Sequence, residues 1–127
     1  MKDLKLEGSA KTPSVLFLAR EGKLELKGRS IPENSIEFYK PLLDWLDVYR
    51  TDPQEQTIVD MKLEYFNTSS SKCILDLFKK LEDINRGNTQ INVNWFFEED
   101  DEDMEEAGED YQAIINLPFT MIEVDEI

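Results

Sequence analysis

Four hydroxyl side chains stand in a row, Thr68, Ser69, Ser70 and Ser71, directly after Tyr65-Phe66-Asn67 and directly before Lys72. Val59, Met61, Leu63 and Tyr65 alternate with charged residues up to this point, and a helical spacing of apolar residues begins at Ile74, so the hydroxyls mark a strand-to-helix junction. A helix N-terminus offers unpaired backbone N–H groups and the positive end of the helix dipole, which can hold either a hydroxyl cap or a phosphate dianion. Capping needs only one such residue, Thr68 or Ser69, and short hydroxyl runs also suit turns. The second chemistry is phosphoryl acceptance, with Thr68 foremost as the group that takes phosphate from a protein kinase. The modification adds roughly 1.5 to 2 negative charges and a strongly hydrated group at an exposed position. A partner docked through Asn67, Ser69, Ser70, Ser71 and Lys72 would then be repelled or blocked. Lys72, about one turn into the helix, either neutralises part of the phosphate charge or is simply solvated.

Other chemistries lack their central groups. There is no histidine, which removes the usual general base and the commonest zinc ligand. The single cysteine, Cys73, permits no internal disulfide and no multi-cysteine metal site, and its place on a helix makes it a core or boundary residue. A calcium loop opening at Asp101 has Glu106 where glycine is required, and one opening at Asp103 has Ile114 at the closing Glu position. No phosphate-binding glycine loop and no GxSxG nucleophile turn occurs, and no two of the 28 acidic residues stand out as a catalytic pair. Neither a cofactor nor a metal is expected.

The elements that must position the hydroxyl run follow from apolar periodicity. Residues 14–18 and 23–27 flank Arg20-Glu21-Gly22 and predict a hairpin, with Leu4 and Leu6 as an optional leading strand. From Ile36 to Tyr49, Ile36, Tyr39, Leu43 and Leu46 recur at helical spacing beside a second stripe of Phe38, Leu42, Trp45 and Tyr49. Asn34 is the expected cap of this helix, and Pro41 inside it predicts a kink or a restart. A strand over Val59–Tyr65 precedes the hydroxyl run. Ile74, Leu77, Phe78, Leu81 and Ile84 then define the second long helix, ending near Gly87. Ile91, Val93, Trp95 and Phe97 make another strand, and both tryptophans, Trp45 and Trp95, fall on faces expected to be buried. Met104, Ala107, Tyr111 and Ile114 keep a helical spacing through the acidic run, predicting a loop and a third helix with acid at its N-terminal end. Leu117–Val124 suits a final strand or short docking segment, with Pro118 pointing to an edge or a first position. The expected fold class is therefore α/β: about four to five strands, two long helices and a third acidic helix.

At 127 residues, 40% hydrophobic and with 13 aromatics, the chain is sized for a single domain over 1–127 with one core. No apolar run nears the roughly 18–20 residues that span a bilayer, and the N-terminus leads into no signal-peptide core, so a cytoplasmic location is expected. Net charge is −14, and every one of the 14 basic residues lies before position 87. Residues 87–127 carry 13 acidic residues, ten of them between Glu98 and Asp110. Such a field repels nucleic acid and anionic membranes and favours basic protein surfaces. A protein partner is the natural inference.

Taken together, Gly28-x-Ser30-x-Pro32-Glu33-Asn34, Phe38-Tyr39-x-Pro41, Trp45-Leu46 and Tyr65-x-Asn67-Thr68-Ser69-Ser70-Ser71-Lys72 resemble the SiaC-type biofilm-regulation phosphoprotein family over roughly residues 5–125. The resemblance implies a small bacterial cytoplasmic protein with a fold related to the anti-sigma factor antagonists, STAS-like in architecture. It implies a partner-switching module in which a cognate kinase of the histidine-kinase-like ATPase type phosphorylates the protein and a PP2C-type phosphatase reverses it. The family's phosphoacceptor threonine falls on Thr68, and the unphosphorylated form is expected to bind an output protein such as a diguanylate cyclase. The acidic segment 98–110 and the tail after Leu117 are the parts that do not align with the family pattern. The competing function is a constitutive acidic adaptor that binds a basic protein surface through residues 98–110, the hydroxyls serving only as a cap.

Overall fold

Three crossovers, each advancing the sheet by one strand, build the C-terminal two thirds of the molecule. The computed structural model describes residues 1–87 and 89–127. Its elements are β1 (Leu4–Leu6), β2 (Ser14–Leu18), β3 (Lys23–Ser30), α1 (Ser35–Tyr49), β4 (Gln56–Phe66), α2 (Thr68–Asn85), β5 (Gln90–Glu98), α3 (Glu102–Ile114) and β6 (Phe119–Val124). The six strands lie in sequence order in one sheet; β1, β2 and β3 are antiparallel neighbours, and β3 to β6 run parallel. The expected α/β class and acidic third helix are present, but there are six strands where four to five were expected. Both optional strands form. Leu4 to Leu6 pairs with β2, fixed by Ala19 N–H donating to Asp3 Oδ1 (2.9 Å) and by Trp45 Nε1 donating to Lys2 O (2.9 Å).

One core unites Leu24, Leu26, Val59, Met61, Val93 and Trp95 of the sheet with Leu42 and Leu46 of α1, Ile74 and Phe78 of α2, and Met104 and Tyr111 of α3. Successive crossovers of one hand, stepping in one direction, place all their helices on one sheet face. The opposite face holds itself together by polar contacts: Lys62–Glu25 (3.1 Å), Lys23–Asp60 (3.7 Å) and Asn94 Nδ2 donating to Asp60 Oδ1 (3.0 Å).

α1 is capped by Asn34 as expected, its Oδ1 accepting from Glu37 N (3.1 Å), and it runs unbroken through the exposed Pro41 without a restart. Its buried stripe is Tyr39, Leu42, Trp45, Leu46 and Tyr49, whereas Ile36, expected on the buried face, is 78% exposed.

α3 approaches the sheet at Gly108, where a built Cβ would lie 2.6 Å from Trp95 Nε1 and 2.7 Å from Met121 Cε. The closeness serves Trp95, whose Nε1 donates to Met104 O (3.0 Å). Gly108→Ala should therefore destabilise by about 1–2 kcal/mol, because overpacking of about 1–3 kcal/mol outweighs a helix-propensity gain of at most about 1 kcal/mol. Thermal unfolding checks this; a variant as stable as the parent would contradict the tight seat of α3.

Candidate functional site

The end of β4 does not keep the strict alternation that the sequence suggests. The β3–β4 register runs evenly from Lys23↔Ile58 to Gly28↔Leu63, then jumps to Arg29↔Tyr65, leaving Glu64 as an extra residue. Such a bulge flips every side chain beyond it. Tyr65, expected to follow Val59, Met61 and Leu63 inward, is instead 50% exposed, and Phe66 packs inward on the core beside Trp95 and Tyr111. Gly28, at φ +115°, supplies the left-handed conformation on the facing strand. Arg29 lies over the outward Tyr65 ring, 5.8 Å from its centroid.

The cap of α2 is Asn67, not Thr68 or Ser69. Its extended backbone (φ −84°, ψ 173°) lets Oδ1 accept from Ser70 N at 2.9 Å, while its own N–H donates to Ser30 O at 3.0 Å. Thr68 is thus the first helical residue and is exposed. Ser69 is exposed, and its hydroxyl donates to Asn67 Oδ1 (3.2 Å). Ser35 at the start of α1 lies 2.7 Å from Ser69 Oγ and, with Ser69's proton committed, is the donor of that pair. Ser71 is half-buried and donates to Thr68 O (2.6 Å). Lys72 is exposed one turn on, and Asn67 is half-buried.

Ser70 is 0% exposed, so the expectation that it touches a partner is corrected: it is an internal anchor. Its hydroxyl donates to Ser30 O (3.0 Å) and accepts from Ser30 Oγ (2.9 Å). Ser30's proton being used there, Tyr39 OH must donate to Ser30 Oγ (2.7 Å). The chain of hydroxyls Tyr39–Ser30–Ser70 ties α1, β3 and α2 together beneath the cap. Among the described residues, Thr68 alone of the four hydroxyls makes no hydrogen bond within the chain.

In the sequence Ser30 and Tyr39, the network's inner members, stand out only as parts of the family pattern and of the α1 stripe, not as hydrogen-bond partners of the hydroxyl run. Ser30 continues the inward set Leu24 and Leu26, and a polar residue there was the available signal for a buried hydrogen-bond partner. Burial pushes the Tyr39 phenol up to about 12 against the smaller, opposing effect of its hydrogen bond with Ser30, and burial likewise raises Tyr111. Cys73 is raised by burial and by the Asp76 carboxylate, which makes it a poor nucleophile.

The Tyr39 shift has a sign in stability. A folded-state value above the unfolded one near 10 leaves stability whole below pH 10 and removes it as pH climbs towards about 12. We expect unfolding free energy to fall by roughly 2–3 kcal/mol across that window, and the fall to shrink in Tyr39→Phe. Denaturant titrations at stepped pH, read beside tyrosinate absorbance, measure it.

The comparisons agree in direction. The model of the SiaC family of regulatory phosphoproteins matches residues 6–124. An uncharacterised protein of Pseudomonas aeruginosa (strain UCBPP-PA14) is 31% identical over 126 residues, covering 99% of this chain and 100% of that one. Among solved structures, SiaC of Pseudomonas aeruginosa superposes with a TM-score of 0.89 at 29% identity, covering 98% of this chain and 100% of that one. A chain in the crystal structure of the diguanylate cyclase SiaD in complex with its activator SiaC, also from Pseudomonas aeruginosa, gives 0.89 at 30% identity, covering 96% and 100%. Matched along nearly its whole length by family model, relative and solved fold, the chain belongs to the SiaC family of regulatory phosphoproteins.

Proposed function

We propose that this chain is a non-enzymatic, cytoplasmic regulator in a bacterial partner-switching module, reversibly phosphorylated at Thr68 to control binding of an output protein, a diguanylate cyclase. The kinase is of the histidine-kinase-like ATPase type, and the phosphatase is of the PP2C type. One observation carries the choice of acceptor: in a run of four hydroxyls, only Thr68 is both exposed and uncommitted among the described residues. Ser70 is out of a kinase's reach, and modifying Ser69 would break its contact with Ser35. A phosphate on the first residue of α2 also sits where the helix dipole favours it.

The docking surface is centred on the same cap. Ile36 follows the Ser35 that touches Ser69, and Tyr65 lies two residues before Asn67, so two exposed apolar side chains flank Thr68. The output protein covers this surface with apolar atoms, and a phosphate there would have to be stripped of water. The activator role of SiaC towards SiaD supports the choice of a diguanylate cyclase as output. The test is incubation with Mg-ATP and the cognate kinase, followed by mass spectrometric mapping. A single phosphate at Thr68, absent in Thr68→Ala and coupled to release of the cyclase, is the expected result. Phosphate on Ser69 or Ser71 alone, or no effect on the cyclase, overturns the proposal.

A further inference from the structure

The face of α2 that carries Thr68 continues through Ser71 and Lys72 to Leu75, at i, i+3, i+4 and i+7. Beside that stripe lies an open groove of about 300 Å³ between α2 and α3, floored by Phe66, Leu75 and Ala107 and edged by Lys72 and Asp110. Its width is fixed, because Tyr111 OH donates across it to Ser71 O (2.8 Å) and Gly108 holds α3 against Trp95. On the α3 side Asp110 edges the groove and Asp103 lies on the same stripe, the two standing with Ala107 at i, i+4 and i+7; both are exposed, as are Glu102, Glu106 and Glu109 on the other faces of the helix. Among the described residues, no α3 carboxylate has a cationic partner within 4.0 Å, and residues 87–127 contain no lysine or arginine to supply one.

An apolar slot with one uncompensated acidic wall specifies its occupant. Resting on the reading of the α2 cap as a docking surface, we infer that the groove receives a basic segment of the output protein. One large apolar side chain of that segment fills the slot, and flanking lysines or arginines face α3. The apolar anchor provides the affinity, and the charged wall provides steering and register. The two ends of the surface differ in chemistry: the cap end, with Ile36 and Tyr65, calls for apolar cover, and the α3 end calls for positive charge. The acidic run is thereby part of the switched interface, and the separate constitutive adaptor is unnecessary.

The probe is a displayed library of random twelve-residue peptides, panned on the purified unphosphorylated full chain and counter-selected on Ala107→Lys, which fills the slot and adds a positive charge beside Asp110. Position 107 is half-buried on a helix, and an unchanged melting temperature establishes that the variant is folded. Enriched peptides should share a large apolar residue flanked by lysine or arginine. Their affinity should fall at least about tenfold with Ala107→Lys, and about threefold with Asp110→Lys, the latter loss disappearing at high salt. Absence of enrichment, enrichment of acidic or uncharged peptides, or equal binding by Ala107→Lys overturns the inference. Panning uses no kinase, so the switch is judged separately. Peptides that bind the groove equally well before and after Thr68 phosphorylation would remove the switch and leave the groove standing.

Discussion

Stoichiometric phosphorylation at Thr68 is expected to weaken binding of the output enzyme by about a hundredfold or more while the free chain becomes no less stable. The two halves of that result have separate causes. Covering a phosphate dianion with apolar atoms forfeits hydration, and even a small fraction of the several kcal/mol involved exceeds the roughly 2.7 kcal/mol that a hundredfold loss represents. In the free chain no such cost arises, because Thr68 is exposed and its side chain holds nothing in place. The added negative charge at the start of an 18-residue helix is favourable by about 0.3–1 kcal/mol, and Lys72 is one turn away to pair with it. Calorimetric binding and thermal melts on the same phosphorylated sample read both halves. A loss of affinity accompanied by a fall in melting temperature would mean that phosphate acts by disrupting the cap rather than by blocking the surface. The contrast is Ser70→Asp, which places a carboxylate in the buried Tyr39–Ser30–Ser70 chain and should unfold the N-terminus of α2.

Trp95→Ala should cost about 3–5 kcal/mol, enough to threaten folding of a chain this size. Its ring is 1% exposed and packs among Phe66, Phe78, Tyr111 and Phe119, with centroids 5.4–6.4 Å away. Removing it also leaves Met104 O without its donor and takes away the surface on which Gly108 rests. Urea unfolding should show the loss, together with increased proteolysis within α3. Trp95→Phe, which keeps most of the volume but not the N–H, should retain more than half of the lost stability. A Trp95→Ala variant within about 1 kcal/mol of the parent would mean that the core relaxes around α3 far more readily than its packing indicates.

The repeating parts of this fold were legible from period alone. β5 has apolar residues at every buried position and α2 at every one after Ser70, and α3 kept its Met104, Ala107 and Tyr111 spacing even within a run of acid, although Ile114, the last residue of that spacing, is exposed. Illegible were the places where a neighbour decides. The bulge opposite Gly28 turned Tyr65 outward, and no alternation within β4 announces a register jump imposed by β3. Ile36 fits a helical stripe yet is exposed, because the first turn of α1 turns Ser35 inward instead, onto Ser69 and Ser70. At the site itself the hydroxyl run was visible, but its division of labour was not. Telling the free Thr68 from the buried Ser70 required Ser30 and Ser35, which are 40 and 35 positions from Ser70 along the chain.

The sheet's spatial order is its sequence order, and this bears on how the molecule is made. Each parallel strand pairs with the strand just before it, across a crossover containing one helix. On a ribosome feeding out the chain from its N-terminus, every strand after β1 therefore emerges with one neighbour already made. The β1–β3 meander can form first and serve as a template, and each later unit adds to an edge that already exists. The most acidic unit, β5 onwards, follows the others off the ribosome, and its like charge disfavours pairing of its open edge with another copy.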